Sequence, residues 1–205
     1  MSTYDGTWLM IKDEHTYSCP ELIEFKEGQV LHFELHENSE NSILKKIEPP
    51  RFKEELAKTR YNFISDHRIR FYRKGTSTIV KNDNETITEE SIFEFDHQRI
   101  EPTKTTLSSK EIQELEFEVV WNKEKIQILF NKELDNPAVL RILKKHKKEG
   151  RKIILEDFQS TLFCSFYNNG RRDLLVPIKE VDNDKIILYG FPRAPYEVIG
   201  KRINF

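Results

Sequence analysis

Short turn sequences separate pairs of alternating apolar segments along the chain, and this spacing constrains the fold more than any other feature. In the segment ELIEFKEGQVLHFEL, apolar residues flank the turn dipeptide Glu27-Gly28 on both sides. Four further segments share this design, with turns at Ser65-Asp66, Asn122-Lys123, Asn169-Gly170 and Asp182 to Asp184. Because connections this short can join only antiparallel strands, we predict a mainly β protein with about a dozen strands.

Helical patterns are few. The segment PPRFKEELAKTR, residues 49–60, opens with prolines that suit a first helical turn. Ser108 and Glu111 have the spacing of a capping box at the start of SSKEIQEL. The segment DNPAVLRILKKHKKEG, residues 135–150, combines a cap, a proline in the first turn and a terminal glycine. We therefore expect two or three peripheral helices.

The composition is that of a globular protein with a heavily charged surface. The chain has 205 residues, of which 37% are apolar and 33% are charged, and its formal net charge is −2. This near balance gives no general attraction to nucleic acid or to an anionic membrane, so we predict neither as a partner. The two halves share no repeat at the level of residues, and we predict a single domain over residues 1–205.

Nothing in the sequence predicts export or membrane insertion. No run approaches about 18 apolar residues, the length of a membrane helix, and the N-terminus lacks the features of a secretory signal. Cys19 and Cys164 lie far apart and match neither a metal knuckle nor a disulfide framework, so we expect a cytoplasmic protein. We interpret Cys164, which has no basic neighbour, as an ordinary buried thiol.

A glycine–threonine–tryptophan sequence, Gly6-Thr7-Trp8, leads into the first predicted strand, and PELIEFKEGQVLHFEL follows it. This opening resembles that of the lipocalins and of the smaller bacterial lipocalin-like proteins. The resemblance implies an antiparallel meander that closes into a lipocalin-like barrel, with the helices outside it. It also implies that Trp8 plugs the closed end of the barrel and that an arginine from near the chain's end packs across it. Arg202 is the candidate for that arginine, and Arg172 is the second.

Many phenylalanines fall on the predicted inward faces of different strands. They are Phe33, Phe63, Phe71, Phe93, Phe95, Phe117, Phe130 and Phe166. Such a set could line a cavity for a small apolar ligand, because small-molecule pockets are mostly apolar with a few polar anchors. It could equally fill a closed core, which is what most sets of aromatic residues do. The sequence leaves both interpretations open.

Three polar residues, His32, Glu34 and His36, share one face of a predicted strand, at a spacing that suits imidazole and carboxylate metal ligands. The opposite face of that strand is apolar, and an apolar face of this size normally takes the core. We therefore expect these three side chains to be partly exposed and to hold no metal. No other motif predicts a cofactor.

The basic segment RILKKHKKEGRK lacks the interleaved aromatic residues of a nucleic-acid stacking platform. Its cations are concentrated at the C-terminal end of a predicted helix, where they complement the helix dipole. We interpret this segment as the solvated face of that helix.

The catalytic motifs of common enzymes are missing from the sequence. It has no glycine-flanked serine, no phosphate-binding glycine loop and no informative spacing of cysteine and histidine. We therefore favour a lipocalin-like binding module for a small apolar ligand. The alternative is an inhibitor-type or immunity-type protein with a filled core that binds a protein partner. A metal-dependent enzyme that uses His32, Glu34 and His36 is the least favoured hypothesis.

Overall fold

The computed structural model describes residues 5–11, 21–26, 29–35, 44–46, 60–80, 86–121, 123–131, 151–168, 170–190 and 197–203. This part of the chain forms fourteen strands and one short helix. The strands are β1 (Gly6–Ile11), β2 (Glu21–Lys26), β3 (Gln29–Leu35), β4 (Leu44–Lys46), β5 (Arg60–Ser65), β6 (Arg68–Val80), β7 (Thr86–Ile100), β8 (Glu116–Trp121), β9 (Glu124–Leu129), β10 (Arg151–Phe158), β11 (Thr161–Asn168), β12 (Arg171–Val181), β13 (Lys185–Leu188) and β14 (Val198–Arg202). The helix, α1, covers Ser109–Glu114.

The strands and the helix can be compared directly with the sequence predictions. A mainly β fold with antiparallel pairing is confirmed. The capping box of α1 is also confirmed, since the Ser108 hydroxyl accepts from the Glu111 amide at 3.3 Å and the Glu111 carboxylate accepts from the Ser108 amide at 2.7 Å. The helix predicted over residues 135–150 lies outside the described residues, as does that predicted over 49–60 apart from Arg60 in β5. Within the described residues, no helix is long and apolar enough to cross a membrane.

The five predicted hairpins are present, because strands pair on both sides of each predicted turn. A sixth tight turn, at Gln159-Ser160 between β10 and β11, was not predicted. Both of its residues have left-handed backbone conformations, with φ of 48° and 68°. Glycine, asparagine and aspartate are the residues that usually mark such turns, and neither of these two belongs to that group. This hairpin therefore had no turn signal in the sequence.

The strands form two antiparallel sheets of seven strands each, with related but different strand orders. The orders are β4-β3-β2-β1-β7-β6-β5 in the first sheet and β10-β11-β12-β13-β14-β8-β9 in the second. In each sheet, the first strand along the chain pairs with the last, as β1 does with β7 and β14 with β8. Each sheet is therefore a circular meander that is interrupted once, between β4 and β5 or between β9 and β10. The interruption follows the fourth strand of the first half and the second strand of the second half, so the two topologies are similar but not identical.

The second sheet curls strongly, so that its two edge strands approach each other. Phe130, just after β9, forms a single parallel bridge with Ile153 on β10. The amide of Asn131 donates to the carbonyl oxygen of Ile153 at 2.8 Å. This sheet is thus a half-barrel, and its inner face holds the largest apolar core in the described part of the chain. That core comprises Ile112, Leu115, Phe117, Val119, Trp121, Ile126, Ile128, Phe130, Ile153, Leu155, Leu162, Cys164, Phe166, Leu174, Val176, Ile178, Val181, Ile186, Leu188 and Val198.

The outer face of the second sheet packs against one face of the first. Leu9, Leu22 and Ile100 of the first sheet contact Phe163 and Leu175 of the second, and all five are buried. Neighbouring residues on a strand point to opposite faces, so Leu9 and Leu22 face the second sheet, whereas Trp8 and Ile23 face away from it. One face of the first sheet is therefore covered by the second sheet, and the other face points away from it.

The unpredicted turn at Gln159-Ser160 ties the two sheets together. The Gln159 amide group donates to the Glu24 carboxylate at 2.9 Å, and its oxygen accepts from the Thr7 hydroxyl at 3.3 Å. The amide of Thr103 donates to the carbonyl oxygen of Ser160 at 2.9 Å. These contacts give the unusual turn a structural role at the junction of the sheets.

A buried ion pair lies on the outer face of the second sheet. Nη2 of Arg172 is 2.7 Å from Oε1 of Glu156, and Nε is 3.1 Å from Oε2. The Tyr167 hydroxyl donates to the same carboxylate at 2.7 Å, and the Ser165 hydroxyl also donates to it. Burial and the hydrogen bond to Glu156 raise the pKa of Tyr167 well above its ordinary value. This carboxylate is therefore fully engaged by its neighbours.

We predict that Arg172→Ala destabilises the protein by about 3–5 kcal/mol, because it leaves the Glu156 carboxylate buried without its charge partner. The control is Lys125→Ala, which breaks an ion pair with Glu118 in which the lysine side chain is 71% exposed. An exposed pair contributes less than about 1 kcal/mol. Urea unfolding followed by circular dichroism measures both changes. Equal losses for the two variants would contradict the prediction.

We also predict that Cys164 resists alkylation in the folded protein. Its thiol is completely buried, and burial raises its pKa well above the ordinary value. In a Cys19→Ser background, iodoacetamide at a pH of about 8.5, where an ordinary thiol is half ionised, should modify Cys164 only after denaturation. Mass spectrometry measures the modified fraction. Modification of the native protein at the rate of a free thiol would contradict this expectation.

Candidate functional site

The face of the first sheet that points away from the second sheet is rich in aromatic residues, and we call it the aromatic face. Cross-strand pairing places Trp8 opposite Ile23, Phe63 opposite Ile69, and Phe71 opposite both Tyr61 and Phe95. Gly6 pairs with Phe25, which continues the same face. The aromatic face is therefore made of Trp8, Phe25, Tyr61, Phe63, Phe71 and Phe95.

The rings of the aromatic face touch one another. The Trp8 centroid is 6.1 Å from that of Phe25, in an edge-to-face arrangement, and 6.0 Å from that of Phe63. The Tyr61 ring lies 5.9 Å from both Phe63 and Phe71. These separations are those of favourable aromatic pairs. The cluster is thus one continuous apolar surface that extends from β2 through β1, β7 and β6 to β5.

Exposure increases along this surface. Trp8 and Phe71 are buried, Phe25, Phe63 and Phe95 are partly buried, and Tyr61 is 49% exposed. The core of the second sheet also has partly buried neighbours, but these are the aliphatic residues Leu107 and Leu129. The aromatic face instead has a buried floor and an accessible end, which is the arrangement that an apolar ligand requires.

A histidine lies among the apolar residues of this face. His97 is completely buried on β7, and its ring centroid is 5.0 Å from that of Phe71, with the rings nearly perpendicular. It pairs with Met10 on one side and with Ile69 on the other. His97 therefore provides a polar group inside an apolar surface.

An arginine, Arg99, lies two residues further along β7 and is the cross-strand partner of Trp8. Its Nη2 donates to the carbonyl oxygen of Asp5 at 3.0 Å, and its Nε is 3.0 Å from the Glu101 carboxylate. Gly6 has a φ of 144°, and a Cβ built there would lie 3.3 Å from Nε of Arg99. The glycine of the opening motif thus permits both an unusual backbone conformation and the close approach of this guanidinium.

The two arginines that the resemblance proposed as partners of Trp8 both lie in the second sheet. Arg202 is on β14, where its Nη1 donates to the carbonyl oxygen of Asn183 at 3.3 Å. Arg172 is on β12 and lies over an aromatic ring, that of Tyr167, at 5.1 Å from the centroid. The arginine whose position faces Trp8 across the strands is Arg99.

The predicted cavity-lining phenylalanines fall into separate groups. Phe63, Phe71 and Phe95 belong to the aromatic face, whereas the core of the second sheet contains Phe117, Phe130 and Phe166. Phe93, on β7, is 40% exposed. Phe33 lies on β3, opposite Leu22, and its side chain is outside the described part of the structure. The seven of these residues whose side chains the structure describes therefore belong to different surfaces of the two sheets.

The three residues that were considered as metal ligands, His32, Glu34 and His36, are only partly described by the structure. Position 32 pairs with the buried Ile23 and position 34 with Glu21, while His36 is outside the described residues. Among those residues, no group of three or more histidine, cysteine, aspartate or glutamate side chains could hold a metal ion. The register places position 32 on the same face as Trp8.

His97 and Arg99 were not identified from the sequence as candidate site residues. The alternating apolar residues of this segment end at Phe95, whereas β7 continues to Ile100. The signal was present, because the period of two that links Phe93 and Phe95 reaches positions 97 and 99.

A groove of about 430 Å³ lies on β6 and β7, in the part of these strands beyond their pairing with β5 and β1. Its described lining is mixed in character, with two charged residues, two hydroxyl-bearing residues and two residues that have neither a charge nor a hydroxyl group. They are Lys74, Glu90, Thr76, Ser91, Gly75 and Ile92. Unlike the aromatic face, this groove has no buried apolar floor.

Comparisons with known proteins add no relative: no family model, no curated protein and no solved structure matches the chain. The candidate site therefore rests on its own geometry.

We predict that Trp8→Ala destabilises the protein by about 3–5 kcal/mol, the cost of removing a large buried aromatic side chain. Tyr61→Ala is the matched control, since it removes a half-exposed ring from the same face and should cost roughly 1 kcal/mol. Urea unfolding followed by circular dichroism measures both without relying on tryptophan fluorescence. A Trp8→Ala protein as stable as the wild type would mean that the indole contributes nothing to the cluster.

Proposed function

We propose that this protein is a lipocalin-like binding module that holds a small apolar ligand against the aromatic face of its first sheet. The observation that carries the proposal is the graded exposure of this face, from the buried Trp8 to the half-exposed Tyr61. Closure of the first sheet around the ligand in the manner of a lipocalin barrel, and a cytoplasmic location, are part of the proposal.

The contrast between the two sheets supports this assignment. The partly buried residues that pack against the core of the second sheet are aliphatic, Leu107 and Leu129. On the aromatic face, Phe25, Phe63 and Phe95 remain partly accessible although they pack against buried residues. An added apolar molecule would bury the accessible parts of these rings, at about 25 cal/mol for each Å² of apolar surface removed from water.

The polar residues of the face fit the same function. Ligand sites combine a predominantly apolar wall with a few polar groups that fix the orientation of the ligand. His97 lies within the apolar wall, and Arg99 lies beside Trp8 in the strand register. These two residues are the polar anchors in the proposed site.

The second candidate function is that of an inhibitor-type or immunity-type protein that binds a protein partner. The filled core of the second sheet favours it, because that half of the molecule can act only through its surface. Exposed apolar side chains on β7, Ile92 at 65% and Phe93 at 40%, are suited to such contacts.

Titration with the fluorescent apolar probe anilinonaphthalene sulfonate tests the proposed function. The native protein should bind the probe saturably, and Tyr61→Ala should raise the Kd about fivefold, the change expected from about 1 kcal/mol of aromatic contact. Ile64→Ala is the control, since it shortens a side chain of similar exposure (52%) next to Phe63 on β5. Native mass spectrometry of the purified protein should also reveal any ligand that it retains.

The two candidate functions predict different results in this titration. Saturable binding that weakens in Tyr61→Ala but not in Ile64→Ala supports a site on the aromatic face. No binding to the folded protein, or equal weakening in both variants, would refute it. The second candidate function would then be favoured.

A further inference from the structure

The aromatic face is curved so strongly that rings from distant strands meet across it. Phe25 on β2 and Phe63 on β5 are separated in the sheet by β1, β7 and β6. In a flat sheet, four strand spacings would hold these two residues about 19 Å apart. Their ring centroids are only 6.4 Å apart. The aromatic face is therefore the concave side of the first sheet.

Trp8 contacts both of these rings, and we call Trp8, Phe25 and Phe63 the ring triad. The Trp8 centroid is 6.1 Å from that of Phe25 and 6.0 Å from that of Phe63. Rings at such separations are in direct contact, so the triad leaves no space for a ligand between its members. A ligand on the aromatic face must therefore lie beyond the ring triad, toward the exposed Tyr61.

The aromatic face continues along β7 to a further ring. Phe93 precedes Phe95 by two residues, so both side chains point to the same face. Phe93 is 40% exposed, and its ring lies over Gly75 of β6, where an added Cβ would be 2.8 Å from Cε2 of the ring. The stretch from Arg99, the strand partner of Trp8, to Phe93 spans about 20 Å at the usual rise of a strand. The face thus extends well beyond the ring triad in the strand direction.

The accessible side chains of this region are aromatic. Tyr61 is 49% exposed, and Phe95 is partly buried. The aliphatic residues that pack with this cluster, Ile23 and Ile69, are completely buried. Two aromatic rings in contact are stabilised beyond the effect of the area that they bury. A ligand with aromatic rings therefore gains a contribution here that a saturated ligand of the same shape lacks.

We propose that the ligand is an elongated aromatic molecule of at least two rings, which lies over Phe95 and Phe93, beyond the ring triad. This inference rests on the proposed function, since it specifies the ligand of the same site. Gly75 is then a positioning residue, because it leaves the space in which the Phe93 ring lies, and a side chain at this position would displace that ring. A compact molecule of one ring would bind near Tyr61 and would not reach Phe93.

Three matched probes test this inference, with binding measured by isothermal titration calorimetry. They are biphenylmethanol, its one-ring counterpart benzyl alcohol, and its fully hydrogenated counterpart. Phe93→Leu keeps an apolar side chain but removes the aromatic ring. This variant should raise the Kd of biphenylmethanol about fivefold and leave the Kd of the other two probes unchanged. Gly75→Ala should have the same selective effect.

Ile92→Ala is the control, because Ile92 is next to Phe93, is 65% exposed and points to the opposite face. It should change no Kd, and circular dichroism should show that all three variants remain folded. Probe binding that Phe93→Leu leaves unchanged, or weakens equally for biphenylmethanol and its hydrogenated counterpart, would overturn this inference and leave the proposed function standing. No saturable binding of any probe to the wild type would refute the proposed function itself, and this inference with it.

Discussion

The contact between the two sheets is the constraint on which the rest of the structure depends. A strand at the surface of a protein normally buries one face, yet Trp8 and Leu9 are both buried, and so are Leu22 and Ile23. This is possible because the second sheet covers Leu9 and Leu22, while the aromatic face buries Trp8 and Ile23. The covered face anchors the first sheet. The opposite face carries the aromatic residues of the candidate site.

The outer face of the second sheet also holds a buried charge cluster. The register shift after Phe166 brings Arg172 opposite Tyr167, and the guanidinium then reaches Glu156 on β10. A buried ion pair adds little net stability compared with well-packed apolar residues of the same size, but either partner is costly to leave alone. The cluster joins Glu156 on β10, Tyr167 on β11 and Arg172 on β12. A slip of any one of these strands would therefore break it. The cluster thus favours a single register among these three strands.

Much of the local structure could be predicted from the sequence, because it depends on neighbouring residues. The turn at Asn169-Gly170, where the glycine has a φ of 77°, and the capping box of Ser108 and Glu111 are examples. The hairpin at Gln159-Ser160 could not be predicted, because its turn is supported by contacts with the other sheet rather than by its own residue types. The exposure of His32, Glu34 and His36 stays a prediction, because their side chains lie outside the described part of the structure.

The sequence by itself determined that this chain forms antiparallel hairpins, and where most of them turn, because a turn needs only a few residues with suitable backbone preferences. It also contained two signals of the candidate site, namely Trp8 in the opening motif and the period of two along β7, which reaches His97 and Arg99. Only the tertiary structure decided that the hairpins form two sheets in which the first strand pairs with the last, that Phe71 and Phe117 lie in different clusters, and that Arg99 faces Trp8. These outcomes depend on pairings between residues about 90 positions apart along the chain, and no local pattern specifies which distant strands will meet.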